Sequence, residues 1–153
     1  MTTAPVRVPS VTPFLWLERD AQAAAERYAA IFPGARVLES SPQSAAVEVV
    51  GQTIILFNGG PTYRLNTAFS LFVSCETQRE IDQYWAALLE GGGKPTQCGW
   101  LEDRFGVTWQ VVPANLRKWI GGPDAAGTKR AFEAMLAMQK LDIAALERAY
   151  AGK

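Results

Sequence analysis

Histidine is missing from all 153 residues. Imidazole is the usual general base near neutral pH and the usual metal ligand, so Ser-His-Asp and Cys-His nucleophiles and histidine-dependent metal chemistry are excluded by composition. Cysteine is almost as scarce: Cys75 and Cys98 are the only two, with no basic-then-apolar leader ahead of them. That pattern predicts a cytoplasmic protein, not a secreted one stapled by disulfides. An excess of either charge is absent as well, because fifteen basic residues balance fifteen acidic ones and no run of like charge occurs. The electrostatic footprint of a nucleic-acid binder is therefore lacking, and a small, roughly neutral partner fits better. Long apolar runs are missing too. The longest, residues 53–57 and 68–73, fall far short of the roughly 20 residues that cross a bilayer, so no membrane span is expected.

What remains is a chain with 48% hydrophobic residues, enough to bury one core or two small repeated modules sharing a sheet. Its most informative stretch is residues 97–113, QCGWLEDRFGVTWQVVP. Trp100 and Leu101 end one apolar run, Asp103-Arg104-Phe105-Gly106 makes a polar, glycine-closed reversal, and residues 107–112 resume with the β-branched and aromatic types that suit a pleated surface. The charges of Glu102, Asp103 and Arg104 are expected in solvent, as turn charges usually are.

Read in order, residues 1–10 form a loose arm and residues 11–17 a strand, with Pro13 marking an edge or a bulge. Asp20 is the expected N-cap of a helix over 21–32, whose Ala21, Ala24, Ala25, Tyr28 and Phe32 share one face. Strands over 36–41, 45–50 and 53–58 form an antiparallel meander, and Asn58-Gly59-Gly60-Pro61 breaks the chain. The order then begins again. A strand is expected over 68–75, then a capping box Thr77-Gln78-Arg79-Glu80, then a helix burying Ile81, Tyr84, Trp85 and Leu88 and ending at Gly91-Gly92-Gly93. Three more short strands occupy 94–112. A shift of 58 places Phe14-Leu15-Trp16-Leu17 on Phe72-Val73-Ser74-Cys75, and a shift of 55 places Gly51 on Gly106. Two sub-stable units burying a common face would fold together. The reading is an α+β single domain of two βαβββ modules, about 9–60 and 66–113, with a C-terminal helical tail over 114–153. Helices are expected over 114–120 and 129–138, and over 143–150 with Asp142 as cap; the tail's apolar face must cover an end of the sheet or meet another subunit.

The doubled order, with the segments TPFLWL, ILFNGGP, SLFVSCETQREIDQYW, QCGWLEDRFGVTWQVVP and AMLAMQKLDIAALERA, resembles the vicinal oxygen chelate superfamily of glyoxalases, extradiol dioxygenases and bleomycin-resistance proteins. Within it the chain is similar to the demethylubiquinone methyltransferase-like, or PhnB-like, subgroup. The resemblance implies a U-shaped mixed sheet with helices outside and a ligand cavity inside, and a homodimer. Metal-dependent members carry four ligands on the first and last strands of the two modules, at positions that correspond here to Thr12, Ile55, Ser70 and Gln110. Two hydroxyls, an alkyl group and an amide make a poor ion site, so no metal is expected. No cofactor is expected either. The βα units that hold S-adenosylmethionine are lacking, and Asn58-Gly59-Gly60 and Gly91-Gly92-Gly93 read as punctuation.

With Thr12, Ser70 and Gln110 placed inward, alternation puts Phe14 and Trp16, Phe57 with Ile55, Phe72 and Ser74, and Thr108 and Val112 on the cavity side. The expected ligand-binding set is Thr12, Phe14, Trp16, Ile55, Phe57, Ser70, Phe72 and Gln110, an apolar and aromatic lining suited to a small planar or apolar molecule. The same side chains would also serve simply to fill the fold, with Gln110 and Ser70 bonded to each other or to water. Trp100 and Trp109 are expected as packing anchors and Cys98 as a buried thiol. An enzyme of this fold would have to draw on Glu48, Cys98 or a residue from a partner subunit. A scaffold would have no void at all.

Overall fold

A strand-helix-strand-strand-strand order runs twice along the chain in the computed structural model, which describes residues 10–153. The arm expected over residues 1–10 lies outside the described residues, apart from Ser10. Two compact units result, one ending at residue 64 and the other spanning 65–153. The first holds β1 (Phe14–Leu17), α1 (Ala21–Ile31), β2 (Arg36–Ser40), β3 (Ser44–Val49) and β4 (Gln52–Asn58), in a four-stranded sheet of order β1-β4-β3-β2. The second repeats it with β5 (Leu71–Cys75), α2 (Gln78–Leu89), β6 (Lys94–Pro95), β7 (Trp100–Glu102) and β8 (Thr108–Pro113), order β5-β8-β7-β6. In each the outer pair is parallel and the rest antiparallel, with Phe14 opposite Ile55 in one and Phe72 opposite Gln110 in the other. The offsets of 58 and 55 in the sequence reappear in those two pairs.

Each sheet has one face under its helix. In the first unit α1 lays Ala21, Ala24, Ala25 and Tyr28, all buried, on the side that carries Leu15, Leu17, Val47, Ile54 and Leu56. Asp20 does not cap this helix. It sits in the left-handed region at φ 69° and its side chain makes no cap hydrogen bond. Asn58, at the end of β4, reaches across instead: its Oδ1 accepts from Ala21 N–H at 2.8 Å, and its Nδ2 donates to Gln22 Oε1 at 3.1 Å and to the Pro42 carbonyl at 3.0 Å. The cap is thus tertiary and ties helix to sheet. Asn58→Ala is expected to cost about 1–2 kcal/mol in urea denaturation, the usual loss for a cap, whereas Asp20→Ala is expected to change stability little.

Both parallel strands begin later than their apolar runs. Pro13 has no N–H to add to a ladder, so β1 starts at Phe14, with the Pro13 carbonyl accepting from Ile55. Ahead of β5, Asn66 turns the chain by accepting from Ala68 N–H at 2.9 Å, which holds residues 68–70 out of the strand. The capping box of α2 forms as expected, with Glu80 N–H to Thr77 Oγ1 at 3.2 Å and Thr77 N–H to Glu80 Oε2 at 3.1 Å. Cys75, at the end of β5, is buried, and that burial, followed by the charge of Glu80, pushes its thiol up to about 11 from 9.0. The unfolded chain therefore releases this proton first. Stability should be indifferent to the thiol below pH 9 and fall by up to about 1.4 kcal/mol per pH unit between pH 9 and 11. Denaturation at stepped pH checks this, because Cys75→Ala should remove that part of the slope.

The tail forms α3 (Arg117–Ile120), α4 (Ala125–Leu136) and α5 (Ile143–Ala151). It packs within the second unit: Trp119, Ala131, Met135, Leu141 and Leu146 close a core cluster with Val112 of β8, so Val112 is buried under the tail and does not line a cavity. Helix α4 starts four residues earlier than its apolar spacing implies, because Asp124 caps it at Ala126 and Gly127 continues it. A side chain at Gly127 would come within 2.6 Å of the Tyr150 carbonyl oxygen, so the glycine is what allows α4 and α5 to approach. The link between α4 and α5 is clamped by Cys98 N–H to the Met138 carbonyl, Gly99 N–H to the Gln139 carbonyl, Gln78 on Leu141 and Ile143, and a 2.6 Å Lys140–Asp82 ion pair. The Lys140 hydrogen bond, then that of Gln78, holds the Asp82 carboxyl below its usual range. Cys98 is half-buried in this clamp instead of fully enclosed. No helix among the described residues is long and apolar enough to cross a membrane.

Candidate functional site

The face of the first sheet that α1 leaves uncovered carries the side chains with the most chemistry. Register defines it as two rows. One runs Phe14, Ile55, Ala46, Glu39 across β1, β4, β3 and β2; the next runs Trp16, Phe57, Ser44. Four aromatic rings line the β1 side: Phe14 to Phe57 at 5.5 Å between centroids, Phe57 to Trp16 at 5.2 Å, and Trp16 to Tyr63 at 5.0 Å, the last two edge to face. Such contacts fix ring orientation. Yet Phe14 is 56% and Tyr63 65% exposed, a large apolar area to leave in water without a partner.

Trp16 is held by backbone. Its Nε1 donates to the Gly60 carbonyl at 2.9 Å, and its ring lies on Gly59, where any side chain would overlap Cε2, Cδ2 and Cζ2. Gly59 N–H in turn bonds the Leu17 carbonyl and Gly60 N–H the Glu18 carbonyl. The Asn58-Gly59-Gly60 turn is a seat for an indole. It does not serve as a nucleotide loop, since Gly59 is covered by the ring and the Gly60 carbonyl is taken by the indole N–H.

Beside the rings, toward β2 and β3, lies a hollow of about 430 Å³, within the range of small-ligand sites. Among the described residues, its walls offer the hydroxyls of Thr12, Ser40, Ser41, Ser44 and Thr53, the carbons of Leu38, Ala45, Ala46 and Ile55, and one charge, Glu39. Glu48 is not on the lining and pairs with Arg36 at 3.5 Å. Of the expected set, then, Thr12 and Ile55 line the hollow, and Phe14, Trp16 and Phe57 form the adjoining aromatic patch. Glu39, Ser44, Ala46 and Tyr63 were missed. Alternation along β3 carries the signal for Ser44 and Ala46. Glu39 was hidden by a register shift between Val37 and Glu39, which turns the strand by one residue.

In the second unit the corresponding face carries Ser70, Phe72 and Gln110. Gln110 Nε2 donates to Ser70 Oγ at 2.8 Å, so these two engage each other, while Phe72 is 62% exposed. Thr108 on the same row is buried. The hairpin that follows corrects one expectation: Asp103 is not in solvent but 4% exposed. Its Oδ1 accepts from Phe105 N–H at 2.9 Å and Val107 N–H at 3.0 Å, and its Oδ2 accepts from Trp109 Nε1 at 2.9 Å. Arg104 stays outside, over the ring of Phe105. Trp109 is buried and Trp100 half-buried.

The side chains of Thr12, Ile55, Ser70 and Gln110 include no charged donor, and the single amide among them is already engaged with Ser70; residues of these types do not fit a divalent metal. Among the described residues no three His, Cys, Asp or Glu side chains are grouped to hold one. A nucleoside methyl donor is no better served. Neither sheet is doubly wound, and Gly93 closes α2 through its N–H to the Leu89 carbonyl where a phosphate or ribose loop would have to open a helix.

Comparison with known proteins yields a family model described as 3-demethylubiquinone-9 3-methyltransferase, matching residues 9–112. Among solved structures, the PhnB protein from Bacillus cereus shares 25% identity with a TM-score of 0.61, covering 68% of this chain and 98% of its own. A Pseudomonas aeruginosa protein follows at 18% and 0.56, covering 69% and 98%. A glyoxalase/bleomycin resistance protein/dioxygenase family enzyme from Burkholderia phytofirmans stands at 14% and 0.53, covering 66% and 96%. No curated protein matches.

Proposed function

Because the chain belongs to the 3-demethylubiquinone-9 3-methyltransferase (PhnB-like) family, with the glyoxalase-type fold, we propose that it is a cytoplasmic homodimer that binds a small, largely apolar molecule without a metal or cofactor. One observation carries this reading: an aromatic patch left in water beside a hollow of ligand size, on the sheet face that no helix of its own unit covers. Energetically, an exposed ring gains by burial against a ligand, at about 25 cal/mol per Å² of apolar area covered. The hydroxyls around the hollow supply hydrogen bonds that orient a ligand without charge. The methyltransferase in the family's description is not part of the proposal, since Gly59 seats an indole and Gly93 closes a helix.

Native mass spectrometry on freshly purified protein tests binding directly. A bound small molecule released on activation is expected; a clean apo mass, unaltered by added apolar probes, contradicts the reading. Light scattering on the full chain should return twice 16.7 kDa, and a mass near 16.7 kDa contradicts the dimer. Metal analysis of protein purified without chelator should find no stoichiometric zinc, nickel or iron.

A second reading, a metal-independent enzyme of the same fold, is favoured by one observation, the Glu39 carboxylate on the wall of the hollow. Glu48 suits that role less well, being paired with Arg36, and Cys98 lies in the clamp of the tail. A scaffold with no cavity is not favoured by a 430 Å³ hollow.

A further inference from the structure

We propose that the molecule bound on this face is an amphiphilic cation: an amine or alkylammonium group carried on an apolar or aromatic body. The inference rests on reading the open face of the first sheet as a ligand site, and adds the ligand's charge, shape and direction.

The charge follows from pairing. Register puts three ionisable side chains on this face: Arg36 and Glu48 opposite each other, and Glu39 two strands away from Ile55. Arg36 and Glu48 pair at 3.5 Å and cancel. Among the described residues, Glu39 is the only charged one on the wall of the hollow, and no ion pair engages its carboxylate. An anion brought here meets a like charge and, among the described residues of the wall, no cation. A neutral ligand leaves the carboxylate to water. A cation gains a counter-charge, together with the serine and threonine oxygens of the same wall, which accept hydrogen bonds from ammonium as readily as they donate to anything else.

The shape follows from the row itself. Phe14, Ile55, Ala46 and Glu39 are successive neighbours on four adjacent strands. At ~4.8 Å per strand, Phe14 and Glu39 stand about 14 Å apart at the backbone. Between them the floor is small and apolar, with Ala46 leaving room where a larger residue would close the passage. A ligand that spans the row lays its apolar body over the rings of Phe14, Phe57 and Trp16 and presents its ammonium group to Glu39. Allowing for side-chain reach, that is a molecule of roughly 8–10 Å, such as a phenyl ring on a four-carbon amine.

Isothermal titration of the full chain with 4-phenylbutylamine, 4-phenylbutanol and 4-phenylbutyrate at pH 7 and low salt separates the terms. The amine is expected to bind about fivefold tighter than the alcohol, the gain of one exposed ion pair, and the carboxylate more weakly than either. Glu39→Gln should bring the amine down to the alcohol and leave the alcohol unchanged, and high salt should do the same to the native chain. Equal binding of amine and alcohol, or tightest binding of the carboxylate, would overturn the cation proposal while leaving the apolar site intact. Binding of the alcohol that survives Phe14→Ala and Ile55→Ala unchanged, or no binding by any of the three, would overturn both.

Discussion

Replacing Asp103 by alanine is expected to lower the folding free energy by roughly 3–5 kcal/mol in urea denaturation, the largest single-site loss foreseen for this chain. The carboxylate is buried and accepts from Phe105 N–H, Val107 N–H and Trp109 Nε1. Removing it deletes three charge-assisted bonds and strands two of the donors, those of Val107 and Trp109, where water does not reach. Asp103→Asn separates the causes. An amide keeps one carbonyl oxygen for the two backbone donors but turns an N–H₂ group toward the indole N–H. An intermediate loss of about 2 kcal/mol is therefore expected, with a shift in Trp109 fluorescence. If both substitutions cost less than about 1 kcal/mol, as a solvated turn charge would, this account of the hairpin is wrong.

Gly59→Ala is expected to cost about 2–4 kcal/mol and to abolish ligand binding on the first sheet. A methyl group there occupies the volume of the Trp16 ring, and the Asn58–Gly60 backbone that would have to yield is bonded to Leu17 and Glu18. Overpacking against a rigid indole costs about 1–3 kcal/mol, and displacing the ring adds the bond to the Gly60 carbonyl, about 1 kcal/mol. Gly60→Ala is the control. Gly60 sits at φ +80° with open space around it, so alanine meets only backbone strain of about 1–2 kcal/mol and the indole keeps its seat. Denaturation of the two variants, with probe titration of each, tests the seat.

What could be read from the chain followed from local pattern. Alternating apolar residues marked the strands, the offsets of 58 and 55 recur between the equivalent pairs Phe14–Ile55 and Phe72–Gln110 of the two units, and the Thr77–Glu80 capping box and the Asp142 cap formed because both partners lie within one helical turn. Alternation also put Phe14 and Trp16 on the same side as Ile55 and Phe57. Where the determinant is distant, reading failed. Asn58 caps a helix 37 residues away, so Asp20, adjacent and of the right type, was the wrong choice. Asp103 has the composition of a solvated turn, and only the approach of Trp109 across the hairpin encloses it. Gly127 lies ahead of the helix expected over 129–138, yet it stands inside α4, where the backbone of Tyr150 leaves no room for a side chain. The open face of the first sheet was seen by halves. The first and last strands of each unit pointed to Phe14, Trp16 and Phe57 but not to Tyr63, or to Glu39, which a bulge moves onto their side.

A two-dimensional NMR titration of the full chain with 4-phenylbutanol bears most directly on whether the open face of the first sheet takes up a small apolar molecule. The indole N–H of Trp16, bonded to Gly60 beside the exposed rings, should move with the amides of Ile55 and Ala46, while that of Trp109, enclosed by Asp103, stays still. Shifts confined to the second unit, or no shifts at millimolar probe, would contradict it.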